Sequence, residues 1–306
     1  MSKPAILVTG AAGLIGFTLA KRLTEAGRAV IGTDSVAPDE DGGFRFVRAD
    51  LSDVHRLHAI FEEGIDSVAH CGAVSGPMLG RDNPRMVVES NLVGTANVLE
   101  AARIHKARRV VYCSSTSAYG DSMKTAGGLD EAAPLSPTDI YGATKAGGDI
   151  LTRAYAASAG LDAAVLRFCW VYGPRRRTDC VIREMLKGAQ AGRPTTLPYG
   201  GGFHRQYVYI DDVAAALTRA LEAPGVAGRA FNITAGVRLS FEEIVGFVKA
   251  LYPKAEIALT PGPDPQDQVH ARFEIAAAAK GLGWKPDWPF EKGLAAYAKW
   301  LETHPI

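Results

Sequence analysis

The chain has 306 residues, with 34 Lys and Arg against 33 Asp and Glu, a formal net charge of +1. A near-neutral chain with no basic tract and no polybasic or amphipathic segment excludes the electrostatic signature of nucleic-acid or membrane-surface binding. Its four cysteines (Cys71, Cys113, Cys169, Cys180) are scattered with no Cys-x-x-Cys pair, which excludes a zinc ligand set and a disulfide framework and fits a reducing compartment. No apolar run is long enough to span a bilayer. The opening "MSKPAILVTG" enters a strand at once, leaving no room for a signal peptide. The expectation is a cytoplasmic protein without metal.

In chain order, "AILVTG" reads as a buried strand, and "LIGFTLAKRLTEAG" has helical spacing and stops at Gly27. "RAVIGTD" and "FRFVRAD" are strands, "VHRLHAIFEEG" is helical, and "IDSVAHCGA" is a fourth strand. A helical stretch then runs from about Pro84 to His105, followed by the strand "RRVVYCSS". After Gly160, "LDAAVLRF" supplies a sixth strand. Apolar strands alternating with helices predict an α/β fold, a doubly wound parallel sheet with helices on both faces. Beyond "VYGPRRR" the loops lengthen and Pro and Gly become denser, while "QYVYIDDVAAALTRALEA" reads as a strand and helix returning to the sheet. The division expected is residues 1–172 with 207–233 as the sheet domain, and 173–206 with 234–306 as a smaller, partly interleaved C-terminal lobe.

"TGAAGLIG" follows the first strand and opens the first helix, inside a βαβ unit. Its glycines could merely serve a tight turn, but the context is the one phosphate binding demands. Gly10 allows the turn, Gly13 removes a side chain where backbone approaches a pyrophosphate, and Gly16 lets helix pack on strand. The helix N-terminus then offers unpaired N–H groups and a positive dipole end. Asp34 ends the second strand. A carboxylate there accepts hydrogen bonds from both hydroxyls of an adenosine ribose and repels a 2′-phosphate, and no arginine follows it. NAD is therefore expected over NADP.

"YGATK" places Tyr141 and Lys145 four residues apart, on one helix face. An ammonium there favours the phenolate and brings the phenol toward the range of a general base. Lys145 can also bond the nicotinamide ribose. "CSSTSAYG" follows the fifth strand, so Ser115 sits where ligands bind in parallel α/β sheets. Ser115 would hold a substrate oxygen while Tyr141 exchanges its proton. The plain alternatives are a helix-surface pair and a cap serine; the order strand end, Ser, Tyr, Lys is the one the chemistry needs.

These motifs together resemble the extended short-chain dehydrogenases/reductases, and within them the NAD-dependent epimerase/dehydratase family, of which UDP-glucose 4-epimerase-like proteins are members. "VVYCSSTSAYG", "YGATKAGGDIL", "RADLSD", "HCGA", "NLVGTANVLEAA", "RQYVYIDDVAAA" and "AAKGLGWKP" carry the resemblance along nearly the whole chain. It implies a Rossmann-type sheet with a small substrate lobe, catalytic Ser115, Tyr141 and Lys145, and Asp149 in the helix's acidic place. It implies a cofactor site of Gly10, Gly13, Leu14, Ile15, Gly16, Asp34, Asp50, Leu51, Cys71, Gly72, Ala73, Asn91, Tyr141, Lys145 and Phe168. Ser75, Thr116, Trp170, Arg205 and Arg272 are implied on the substrate side. A homodimer is implied as well, through the helices near Pro84–His105 and Tyr141–Ser158.

The implied activity is NAD-dependent oxidoreduction at a secondary alcohol of a sugar-like small molecule. An epimerase returns the hydride; a dehydrogenase releases ketone or lactone and NADH. Full-length similarity favours the epimerase branch. "RFCWVYGP" favours the other, because Trp170 replaces an asparagine that nucleotide-sugar enzymes use for the substrate diphosphate, and indole has a single donor. Arg205 keeps the position that commonly faces a substrate anion, to which a guanidinium is suited. The site then suits a free sugar, sugar acid or other polyol. A regulator that binds NAD without chemistry is the remaining alternative, disfavoured by the presence of Ser115, Tyr141 and Lys145 together.

Overall fold

The computed structural model describes residues 4–304 apart from 77, 81, 123–127 and 266. Its strands are β1 (Ala5–Thr9), β2 (Val30–Asp34), β3 (Arg45–Arg48), β4 (Ile65–His70), β5 (Arg109–Ser115), β6 (Ala163–Phe168), β7 (Trp170–Tyr172), β8 (Thr195–Gly201), β9 (His204–Arg205), β10 (Tyr207–Tyr209), β11 (Ala230–Ile233), β12 (Leu239–Ser240) and β13 (Ile257–Pro261). The helices are α1 (Leu14–Glu25), α2 (Val54–Phe61), α3 (Pro84–Val88), α4 (Gly94–Ile104), α5 (Ile140–Ala159), α6 (Val181–Gln190), α7 (Ile210–Glu222), α8 (Phe241–Leu251), α9 (Ala276–Leu282) and α10 (Phe290–Leu301).

Seven strands form one sheet in the order β11-β6-β5-β4-β1-β2-β3, every neighbouring pair parallel. Such a sheet is covered on both faces, which is why its strands read as unbroken apolar runs. Successive side chains point to opposite faces. Ile6 and Val8 pack with α1 and α7 through Leu19, Leu23, Val213 and Leu217. Leu7 packs with α2 and α4 through Leu57, Phe61, Val98 and Leu99. The order steps outward from β1 to β3, then restarts on the other side of β1 with β4. Loops after β1 and β4 therefore diverge and open a crevice at the carboxyl edge, the usual ligand site of such sheets. This is a Rossmann-type sheet carrying a smaller C-terminal lobe, as the alternation of strands and helices predicts.

Two elements differ from the sequence reading. The strand in "QYVYIDD" pairs with β7, Tyr207 against Trp170, and not with the large sheet. Its helix, α7, does return, and β11 adds the seventh strand beside β6. The stretch Pro84–His105 is broken by a π-turn at Glu89–Val93 between α3 and α4. The lobe is built on the parallel pair β8–β13 and the antiparallel pair β9–β12, with Phe241, Ile244, Leu294 and Tyr297 in its core.

Candidate active site

The crevice is a cleft of about 380 Å³. At its floor the three glycines have different reasons to be glycine. Gly10 has φ 68°, and a Cβ there would lie 2.7 Å from Gly72 N; a Cβ on Gly16 would lie 2.1 Å from Gly10 O. Both are demanded by the protein's own packing. Gly13 has φ −83°, and its nearest internal neighbour to a Cβ is Gly10 O at 3.3 Å. Its missing side chain opens onto the cleft, alongside the lining residues Leu14 and Ile15. Helix α1 has no side-chain cap, so first-turn N–H groups are left for an anion. Asp34 Oδ2 accepts from Ala12 N at 3.0 Å and pins the loop, while the carboxylate also lines the cleft. These features fit a dinucleotide: a phosphate cradle, then an acid at the end of the next strand. Asp50, Leu51, Cys71, Gly72, Ala73 and Phe168 line the same cleft.

A buried polar chain holds the far wall. Gly72 N donates to Thr9 Oγ1 (3.0 Å), so the Thr9 hydroxyl proton points to His70 Nδ1 (2.7 Å). His70 Nε2 then donates to Thr95 Oγ1 (3.0 Å), and Thr95 donates to Asn91 O (2.5 Å). Burial, with Lys145 nearby, pushes His70 down to about 3, so this neutral tautomer persists at all ordinary pH. Asn91 departs from its expected contact. It is 1% exposed and lies behind the wall, bonding Val74 N (2.7 Å), Val74 O (3.0 Å) and Thr144 Oγ1 (3.2 Å). Its amide joins the loop after β4 to α5, which makes it a positioning residue. The π-turn brings it there, and no sequence spacing signals that turn.

Helix α5 begins at the N-cap Asp139, which accepts from Gly142 N. It is fixed against β6 by Asp149, whose oxygens take Arg167 (2.8 Å) and Arg153 (2.8 Å). Gly142 has room for no side chain, since a Cβ would meet Ser117 O at 2.6 Å. That close approach brings Tyr141 to the end of β5, where its hydroxyl has Ser115 and Ser75 as hydrogen-bond partners. Ser115 is both a cap and a residue of the cleft. It caps the 3₁₀ turn Thr116–Tyr119 by accepting from Ser117 N (3.1 Å), and it lines the cleft with Thr116 and Ser75.

Lys145 lies on the same helix face, 4% exposed, with Nζ donating to Cys113 O at 2.9 Å and 5.9 Å from the centre of the Tyr141 ring. Burial pushes the lysine down to about 8. It pushes the Tyr141 phenol up, against the opposing hydrogen bonds of Ser115 and Ser75. The sequence reading had the ammonium lowering this phenol. Here desolvation outweighs the charges around it, and the ammonium is engaged with a strand carbonyl. Cys71 and Cys113 line the cleft with sulfurs 3.5 Å apart, and Cys71 stays a thiol because its bond to Cys113 and burial both raise it.

The substrate end holds two corrections. Arg205 is no free cation. Its side chain is 2% exposed, its Nη2 meets Asp264 (2.7 Å), its Nε meets Asp267 (2.5 Å), and its guanidinium stacks 4.1 Å from the Trp170 ring. Two carboxylates already occupy the donors that an anion would need. Arg272 turns outward and pairs with Glu274, because its neighbour Phe273 takes the inward position beside Leu129 in this extended segment. Trp170 does line the cleft, and its Nε1 donates to Asp267 Oδ1 at 3.0 Å. Arg175 and Arg177 reach across to Asp39 and Glu40. Sequence reasoning missed Asp267 and His270, which line the cleft from a Pro-rich loop with no motif around them.

A glycine-lined phosphate cradle and a Ser–Tyr–Lys set in one cleft of a Rossmann-type sheet define a nucleotide-dependent oxidoreductase architecture. Residues 6–234 match the NAD dependent epimerase/dehydratase family, and the chain belongs to that family. It is 30% identical to the UDP-glucuronate 4-epimerase of Thermodesulfobacterium geofontis, over 97% of this chain and 96% of that one. It is 32% identical to the UDP-glucose 4-epimerase of Mycolicibacterium smegmatis, over 94% and 96%. Among solved structures, it superposes on the Thermus thermophilus UDP-glucose 4-epimerase in complex with NAD with a TM-score of 0.87 and 27% identity, covering 98% of this chain and 99% of that one.

Proposed function

We propose that this protein oxidises a secondary alcohol of a compact sugar-like substrate, with NAD held between the glycine loop and Asp34. The observation that carries the reading is Tyr141, half-buried at the end of β5 beside Ser115 and Ser75, in the same cleft as the glycine cradle. When bound, NAD supplies the hydride acceptor. Ser115 and Ser75 orient the alcohol oxygen, and Tyr141 takes its proton. Lys145 supplies a positive charge near the phenol and would use its remaining donors on the ribose of the cofactor. Leu14 and Ile15, at the start of α1, would offer their backbone N–H groups to the cofactor phosphates.

Compactness is supported by Trp170 and Arg205. An indole fills the wall beside Val171, and the arginine that would grip a diphosphate is neutralised by Asp264 and Asp267. A second reading, epimerisation of a nucleotide sugar, is favoured by the names of the relatives above. One experiment separates them: follow absorbance at the NADH band while the protein and NAD meet sugars, sugar acids and UDP-sugars, and titrate UDP into the protein–NAD complex. Net NADH from a small polyol with no UDP binding is expected. Micromolar UDP binding with product and no net NADH would establish the nucleotide-sugar epimerase and reduce Trp170 to packing.

A further inference from the structure

Four arginines stand at the substrate end, and their partners differ. Arg175 and Arg177 meet Asp39 and Glu40, and Arg205 meets Asp264 and Asp267. Arg176 alone of the four bonds no carboxylate among the described residues. Its Nη1 and Nη2 donate to the carbonyls of Val171 and Asp179, and its Nε has no partner. Two carbonyls fix the guanidinium and leave its charge intact. The group stands 5.2 Å over the Trp170 ring, in the cleft wall that also carries Tyr141, Ser115 and Asp267. Asp267, the nearby acid in that wall, already has both oxygens occupied by Arg205 and Trp170. A half-buried guanidinium without a counter-ion is a receptor for one, and a carboxylate matches its geometry.

We propose that Arg176 binds a substrate carboxylate, so that the substrate of this cleft is a polyhydroxy acid whose carbinol reaches Tyr141 while its acid end meets Arg176. The proposal rests on the oxidoreductase reading above and names the substrate class for the same site. Its chemistry accounts for three features at once. Trp170 stands in the cleft wall, Arg205 is paired with Asp264 and Asp267, and the Arg176 charge, which meets no carboxylate among the described residues, lines the same cleft as Tyr141. The Arg176 charge is also felt at the Tyr141 phenol, where it favours the phenolate.

The test reads binding, not turnover. Four- to six-carbon aldonates and the matching alditols (gluconate against glucitol and the shorter pairs) are titrated into the protein–NAD complex by calorimetry. At least one acid is expected to bind about tenfold to a hundredfold tighter than its alditol, the worth of a charged hydrogen-bonded pair. Arg176→Gln is expected to erase that preference and Arg176→Lys to restore part of it, with thermal unfolding as the fold control. If no acid outbinds its alditol, or Arg176→Gln leaves the preference intact, the proposal is overturned. The wild-type comparison decides even where a variant fails to fold. An acid preference with no NADH formed from any compound would sink the net-oxidation reading alone. NADH formed from alditols and acids alike would sink the carboxylate receptor alone.

Discussion

Lys145→Met should make the NAD-free protein more stable while removing its activity. In the folded chain this lysine is pushed from an ordinary 10.5 to about 8, chiefly by burial. The unfolded chain therefore holds the proton more tightly than the folded one. Between about pH 8 and 10.5 the unfolded state carries more protons, so stability rises with pH across that window. Below about pH 8 both states are charged and the full penalty stands. A shift from 10.5 to about 8 corresponds to about 3 kcal/mol at 1.36 kcal/mol per unit. Methionine fills the same space without the charge but gives up the bond to Cys113 O, which offsets about 1 kcal/mol. A net gain of about 2 kcal/mol at pH 7 is expected on these magnitudes. Urea unfolding of both NAD-free proteins at pH 7, 8, 9 and 10 measures it. The difference between variant and wild type should shrink as pH rises, which cancels the other groups that titrate there. A variant less stable than wild type at pH 7, or a difference independent of pH, would refute the reasoning.

Further outcomes follow from the same geometry. Asp34→Ala removes both the ribose acceptor and the Ala12 pin; NAD should weaken about tenfold to a hundredfold and its margin over NADP should narrow, read by calorimetry with both cofactors. Equal affinity of the wild type for NAD and NADP would contradict the role given to Asp34. Tyr141→Phe should cost about 10²-fold or more in kcat while NAD affinity survives, because the phenol acts on the proton and the ring only packs. Near-normal turnover by that variant would show the base to be elsewhere. A homodimer is expected through α3–α4 and α5, where Met86, Val93, Ile104 and Ile150 are exposed apolar side chains. Light scattering at micromolar concentration should give twice the chain mass, and Ile150→Asp should reduce it toward the monomer.

What the sequence made legible, and what it hid, follows from the range over which each feature is determined. The glycine loop was legible because a strand, a turn and a helix start are local, and the contacts that forbid a Cβ at Gly16 come from Gly10 itself. Tyr141 and Lys145 were legible because a helix sets their relation. The strand Tyr207–Tyr209 was seen but its partner was not, since an apolar run carries no mark of the sheet it will join. Asn91 was implied at the cofactor, yet a π-turn places it behind the cleft wall.

Arg205 shows the limit most clearly. Its residue type and motif argued for a cation facing an anion, and both remain true of the side chain in isolation. Its charge is cancelled by Asp267, 62 residues away in a loop of Pro, Gly and Asp with no periodicity to place it. Whether an arginine binds a ligand depends less on its own position than on whether the fold delivers a carboxylate first. Arg176 makes the converse case: within a run of three arginines, it is the middle one that meets no carboxylate among the described residues. The identity of an active-site cation is thus local, but its availability is a tertiary property. That is why the proposed role of Arg176 was visible only once Asp39, Glu40, Asp264 and Asp267 had been seen to pair with its neighbours.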